Sequence, residues 1–224
     1  MKPFKALLVE GTSGVGKSTL IDRLIRRHVD SARERKIRTV VHLAQSHTYG
    51  PLAQAEGAGT LTVAENQRHL ERIVGAMEWL HAGVQEHDKP WCFVILDTLH
   101  LTHCVRPGAV KWGDVEAFDR RLAALECKLL MLRAAPETIW ERGIVPRLSE
   151  QFMVEYARKF GRNNQEIHQY FVREQETIGE LHERSAMVKR MVRNEGAIAD
   201  GVEEAYRFWT EDAEELERGV GAGV

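Results

Sequence analysis

Between the apolar run Phe4 to Val9 and a helical stretch marked by Leu20, Ile21, Leu24 and Ile25 lies Gly11-Thr12-Ser13-Gly14-Val15-Gly16-Lys17-Ser18. Few folds accommodate a buried strand that ends in three glycines and passes directly into a helix. Glycine permits the backbone angles with which consecutive N–H groups curl around an anion. The helix that follows adds unsatisfied donors and the positive end of its dipole. The spacing is GxxxxGK[ST], which suits phosphate oxygens.

In such a loop, Lys17 reaches the β- and γ-phosphates of a nucleotide, and Ser18 sets its hydroxyl on Mg²⁺. Thr19 adds an α-phosphate contact. Residues 11–19 are therefore expected to hold ATP with Mg²⁺. Lys17 and Ser18 are both present, which argues against a loop that only binds nucleotide without acting on it.

The rest of the chain continues the same rhythm. Strands are expected at Thr39–Leu43, Trp91–Leu96, Leu129–Leu132 and Lys189–Val192. Helices are expected from near Val63, where Leu70, Ile73, Val74, Met77 and Leu80 recur at three and four, and from an Asp114 cap. Others follow at Pro136, around Phe152 to Phe160, over Asn164–Met187, and over the acidic stretch Val202–Glu217. Gln45–Leu61 and Thr98–Gly113 read as loops. Strands alternating with helices predict an α/β three-layer sandwich with a five-stranded parallel sheet, the fold of P-loop-containing nucleoside triphosphate hydrolases. Residues 1–218 read as one domain, with a lid region at about 136–165 and a fraying tail at 219–224.

Composition excludes several other classes. With 43% hydrophobic and 29% charged residues in 224, the chain can bury a core without disulfides or metals. A formal net charge of −2 gives no support to a role in coating nucleic acid. Cys92, Cys104 and Cys127 fit no metal-ligand spacing and read as reduced thiols. No apolar run approaches a membrane span or a signal peptide, so a cytoplasmic location is expected, with no membrane and no nucleic-acid polymer as partner.

Asp97 closes the central apolar strand, where a doubly wound sheet forms its ligand crevice. A carboxylate there can hold Mg²⁺ or accept the proton of an attacking hydroxyl, and the sequence does not separate these roles. His100, three residues on, can touch substrate or Asp97, or serve the loop. Arg133 follows the fourth strand, and Arg142 and Arg147 follow Pro136. Fixed guanidiniums at these points suit the charge that spreads over a moving phosphoryl group, with Arg142 and Arg147 on a closing lid. Gln45, His47 and Tyr49 lie just past the second strand, and Arg68 lies on the next helix. These are the candidates for contact with the phosphate acceptor.

On these residues the chain resembles the P-loop kinases of nucleosides and nucleoside monophosphates, thymidylate kinase-like proteins in particular. The resemblance spans most of residues 4–195 in element order and rests on Gly11–Ser18, Asp97, Arg68, Arg142 and Arg147. It implies transfer of the ATP γ-phosphate to a nucleoside or nucleotide, and a homodimer. Thr98 stands where those families place an arginine after the acid, and Gln45 lies near the place of their acidic motif. Those departures keep open a kinase of the same fold acting on an antibiotic or other small hydroxyl. A P-loop NTPase working through a protein partner is the remaining alternative.

Overall fold

The structure is a computed structural model that describes residues 4–32, 39–86, 92–106, 110–148, 159–195 and 198–211. Five parallel strands form one sheet: β1 (Phe4–Glu10), β2 (Val40–Leu43), β3 (Cys92–Asp97), β4 (Lys128–Arg133) and β5 (Val188–Arg193). Their spatial order is β2-β3-β1-β4-β5. All seven residues of β1 are buried, as a central strand covered on both faces requires.

Alternation along β1 assigns the two cores. Leu7 and Val9 face α1 (Lys17–Ala32), meeting Leu20, Ile21 and Leu24, together with Trp209 of the C-terminal helix. Phe4, Ala6 and Leu8 face the opposite layer, meeting Leu70, Val74 and Met77 and then Val115 and Leu122. Each fully buried side chain of this kind contributes about 1.5–3 kcal/mol by leaving water. The two layers are therefore held to the sheet independently.

Two segments read as loops are helical. Gln45–Leu61 contains α2 (Gln45–Thr48) and α3 (Gly50–Gly57), with Pro51 in the first turn of α3. Thr98–Gly113 contains α5 (His100–Val105). Between them runs α4 (Val63–Gln85), opened by Thr62, whose hydroxyl accepts the Glu65 N–H at 3.2 Å. Helix α6 (Trp112–Ala124) begins three residues earlier than the Asp114 cap implies; Asp114 is its third residue and accepts the Lys111 N–H at 2.8 Å. After β4 come α7 (Pro136–Ile139), a π-helical turn over Trp140–Ile144 and a 3₁₀ turn over Val145–Arg147. Helix α8 (Asn164–Arg184) and helix α9 (Ile198–Thr210) complete the described elements.

The expected helix around Phe152 falls almost wholly outside the described residues, as do Trp91 and the tail 219–224. Cys92, Cys104 and Cys127 form no disulfide, and burial pushes the Cys104 and Cys127 thiols up to about 12. Among the described residues no helix is long and apolar enough to cross a membrane.

Helices after neighbouring strands diverge. Helix α1 leaves β1 for one face, whereas α5 and α6 leave β3 for the other. This divergence opens a crevice at the carboxyl ends of β1 and β3, the usual ligand position in such a sheet.

Candidate functional site

The crevice floor is the glycine loop. Gly11, Gly14 and Gly16 have φ of 145°, 85° and 94°, conformations that side chains rarely adopt. A Cβ on Gly11 would lie 2.5 Å from the Leu132 carbonyl oxygen, so β4 presses the loop into shape. Val15 is fully buried in the α1 layer. Its carbonyl accepts Asn194 Nδ2 at 2.7 Å, and the Asn194 N–H donates to the Arg133 carbonyl at 2.7 Å. One residue after β5 thereby fastens the loop, through its side chain, to the end of β4, through its backbone.

Lys17 Nζ folds over this loop and donates to the carbonyls of Gly11 at 2.5 Å and Thr12 at 3.0 Å. Burial pulls its pKa down, while the Asp97, Glu174 and Glu10 carboxylates pull it up and Arg106 opposes them. The hydroxyl-bearing Ser18 and Thr19 are exposed at the start of α1, and Ser13 is half-buried. The residues fit a nucleotide with Mg²⁺. The glycines hold the positive φ angles with which loop N–H groups curl around an anion, an ammonium lies over the loop, and Asp97 stands nearby as an oxygen donor. Among the described residues no cluster of three His, Cys, Asp or Glu side chains forms a metal cage. Mg²⁺ in phosphate sites needs only one or two carboxylates because phosphate and water supply the rest.

Asp97 ends β3 and is buried. Thr98 follows with φ of 66°, strained for a β-branched residue. Its N–H donates to the Val9 carbonyl at 2.9 Å and its hydroxyl to Asp97 Oδ1 at 3.0 Å. The Asp97 carbonyl accepts the Thr48 hydroxyl at 2.6 Å. Thr48 also accepts two imidazoles at its own carbonyl, His69 Nε2 at 2.8 Å and His103 Nε2 at 3.2 Å.

Three groups that the sequence reading does not single out enter this site. Glu10, last in β1, is fully buried; its carboxylate accepts Leu99 N at 2.9 Å, Leu101 N at 3.2 Å and the Thr102 hydroxyl at 2.6 Å. Burial raises its pKa, and the same carboxylate fixes the start of α5. Glu174 of α8 accepts the Thr12 hydroxyl and forms an ion pair with Arg106, with Nε 3.1 Å from Oε1. Arg106, just past α5, lies over the rings of Tyr49 at 5.9 Å and Phe160 at 5.1 Å. A signal for Glu174 exists in the sequence. It lies three residues after Phe171 and four before Ile178, on the inward stripe of its helix. Arg106 carries no such signal.

The other expected residues are distributed as follows. Tyr49 is buried beside Arg106, with its hydroxyl pKa raised by burial and by Glu56. Gln45 is half-buried at the start of α2, and His47 is exposed, its Nδ1 3.2 Å from the Ser46 hydroxyl. His100 is fully buried and points to α6, with Nε2 2.9 Å from Asp119 Oδ1. Asp119 also accepts Ser185 Oγ at 2.6 Å and Ala186 N at 2.7 Å, so this pair sits in a structural network. Arg68 is exposed beside a hollow of about 280 Å³ between α3 and α4, lined also by Leu52, Glu65, His69 and Arg72. None of the phosphate-loop residues lines that hollow.

Arg133 is exposed at the end of β4, and Arg142 and Arg147 are exposed on the turns that follow. Those turns touch the loop itself. A Cβ on Gly14 would lie 2.7 Å from Gly143 Cα. A π-helical turn directly on a phosphate loop is a placement typical of functional segments.

The fold and the loop together define the class. This is the P-loop nucleoside triphosphate hydrolase fold: a five-stranded parallel sheet with helices on both faces, and a phosphate loop between β1 and α1. The YorR protein of Bacillus subtilis, in complex with phosphorylated GDP, superposes with a TM-score of 0.54 at 15% identity, covering 96% of this chain and 98% of its own. Shikimate kinase from Acinetobacter baumannii, in complex with shikimate, gives 0.48 at 12% identity over 92% and 93%. Thymidylate kinase from Candida albicans gives 0.49 at 15% identity over 92% and 91%. At 15% identity the likeness to YorR is one of fold. No protein-family profile matches the chain. No curated protein matches it.

Proposed function

We propose that this protein is an ATP-dependent phosphotransferase that moves the γ-phosphate to a small acceptor, a nucleoside or nucleoside monophosphate. The observation that carries the reading is the glycine loop itself, with Lys17 folded over its Gly11 and Thr12 carbonyls and the carboxylates Asp97, Glu174 and Glu10 and the Arg106 guanidinium within electrostatic reach of the ammonium. A loop that only recognised phosphate would need cations alone. Carboxylates in that position are useful when a hydroxyl must be oriented and deprotonated, or when Mg²⁺ must be held.

In this mechanism the N–H groups of residues 11–18 and Lys17 hold the polyphosphate. Ser18 and Asp97 are the residues that would hold Mg²⁺, which supplies charge neutralisation at the phosphate oxygens when bound. Asp97 orients the acceptor hydroxyl over the carboxyl ends of β2 and β3. Tyr49, with Arg106 above it, walls the acceptor side, and Gln45 lies at its margin. Arg142 and Arg147 close from the turns after α7 and exclude water. The acceptor enters as a small molecule in solution; no membrane or nucleic-acid polymer takes part.

The test is ADP release with Mg·ATP against a panel of nucleosides, nucleoside monophosphates and other small alcohols, aminocyclitol and amphenicol antibiotics included. Release that depends on a nucleoside or nucleotide is expected. Release only with an antibiotic would move the reading to that acceptor class. Release indifferent to every acceptor but stimulated by a protein would replace it with a partner-driven NTPase. Asp97→Asn should lower kcat about 10²-fold or more, the loss expected of a positioned base, with a smaller change in KM for ATP. Full turnover in that variant would remove Asp97 from the mechanism.

A further inference from the structure

Among the described residues other than glycine, only Thr98 and Glu126 have a positive φ, 66° and 57°. Glu126 is exposed in the turn before β4, and its side chain is unbranched at Cβ. Thr98 is buried and β-branched, and for such a residue the left-handed region is a genuine outlier. A glycine would make the same turn without strain. Four hydrogen bonds from the end of β1 impose the conformation. The Val9 carbonyl accepts the Thr98 N–H at 2.9 Å. The Glu10 carboxylate accepts the Leu99 N–H at 2.9 Å, the Leu101 N–H at 3.2 Å and the Thr102 hydroxyl at 2.6 Å. Strain of this kind persists only where the surroundings over-determine it, and it gathers where it serves a mechanism.

What threonine supplies here, and glycine would not, is a hydroxyl. It donates to Asp97 Oδ1 at 3.0 Å. The Asp97 carbonyl is occupied separately by the Thr48 hydroxyl at 2.6 Å. Among the described residues Asp97 Oδ2 makes no hydrogen bond, and Lys17 lies within electrostatic reach of the carboxylate. The last torsion of an aspartate is broad and roughly two-fold, so an unpinned carboxylate presents either oxygen over a wide arc. Fixing Oδ1 selects one oxygen and one direction.

We infer that Thr98 is a positioning residue for Asp97, a role that rests on the phosphotransferase reading: the left-handed turn is held in place so that the Thr98 hydroxyl pins Oδ1 and leaves Oδ2 to orient the acceptor hydroxyl. The strain at residue 98 is tolerated for that hydroxyl and not for the turn. Glu10 takes part from a distance, because its carboxylate fixes the residues after Thr98 and so keeps the hydroxyl over Oδ1. A residue that served the turn alone would be improved by glycine; a residue that serves the carboxylate would not.

Three replacements separate the hydroxyl from the turn. Thr98→Ser keeps the hydroxyl, Thr98→Val keeps the shape and the branching without it, and Thr98→Gly removes hydroxyl and strain together. Each is assayed in the full chain by ADP release with Mg·ATP and the acceptor that gives the greatest release, beside circular dichroism and thermal melts. Thr98→Val and Thr98→Gly should each lower kcat about 10- to 100-fold, the range for losing a group that orients a reacting one. KM for ATP should change little, because the phosphate loop is untouched. Thr98→Ser should restore most of the turnover. In an Asp97→Asn background Thr98→Val should cost little further, because the two residues act as one unit. Wild-type kcat in Thr98→Gly or Thr98→Val, with Asp97→Asn impaired, would overturn the inference and leave the phosphotransferase reading intact. So would a serine variant as slow as the valine one, or a full further loss in the Asp97→Asn background. A wild type that releases no ADP with any acceptor, or an Asp97→Asn variant with full turnover, would remove the reading itself and the inference with it.

Discussion

Gly143 rests on Gly14: a side-chain carbon on Gly143 would lie 3.3 Å from Gly14 Cα and 3.5 Å from the Ser13 carbonyl oxygen. The turn carrying Arg142 therefore meets the phosphate loop backbone to backbone. Gly143→Val should push the two apart, whereas Gly143→Ala requires a shift of only a few tenths of an ångström. Displacement on the scale of an ångström should lower kcat/KM for ATP by about 10- to 100-fold in the valine variant and much less in the alanine variant. Steady-state kinetics beside thermal melts checks this, with melting nearly unchanged. Equal kinetics in valine and wild type would separate Arg142 from the reaction.

Lys17 is fastened to carbonyls of its own loop, not to the core. Lys17→Ala should keep the far-ultraviolet dichroism spectrum and lose about 10²–10³-fold in kcat, the range for removing one preorganised charge at a transition state. A turnover assay on the folded variant decides it.

Arg106 and Glu174 form a pair buried on both sides. Arg106→Ala leaves a buried carboxylate without its counter-ion and should cost about 3–5 kcal/mol of unfolding free energy. The double variant Arg106→Met with Glu174→Gln should recover much of that loss, because neither charge is then stranded. Urea unfolding of the two measures the difference. A single variant as stable as wild type would show that the pair is not a structural tie.

His103 is buried, and its pKa is lowered to about 3, first by burial and then by His69 and His100. The unfolded chain takes up this proton near pH 6.5 and the folded chain only near the lower value. Stability should therefore be complete above about pH 6.5 and fall as pH drops, by up to about 1.4 kcal/mol per unit for this residue. His28 and His182, whose pKa values burial also lowers, act in the same direction. Urea unfolding at about pH 7 and about pH 5 should show the slope, and His103→Asn should flatten it.

The sheet is legible in the sequence because parallel strands buried on both faces are continuous apolar runs. Leu129–Leu132 lies within one residue of each end of β4 on this signal. Lys189–Val192 lies as close to β5, an edge strand that carries Lys189 and Arg190 and is only partly buried, so there the alternation of strands with helices supplies the signal. The glycine loop is legible because its constraint is local. Strand order is not, since β1 and β4 pair across more than a hundred residues. Helix α5 escapes notice because a single turn, His100–Val105, shows no periodicity and is fixed by a distant carboxylate, Glu10. The partners around the crevice are illegible for the same reason. Whether His100 faces Asp97 or Asp119 depends on how α5 meets α6, and the chain between Thr98 and Trp112 says nothing of that angle.

The carbonyl of Thr48 holds imidazoles from α4 and α5, and its hydroxyl holds the end of β3. Three elements thus share one residue, and α2 cannot swing without breaking all three links. Asp97, whose carbonyl takes the Thr48 hydroxyl, therefore stands on fixed ground.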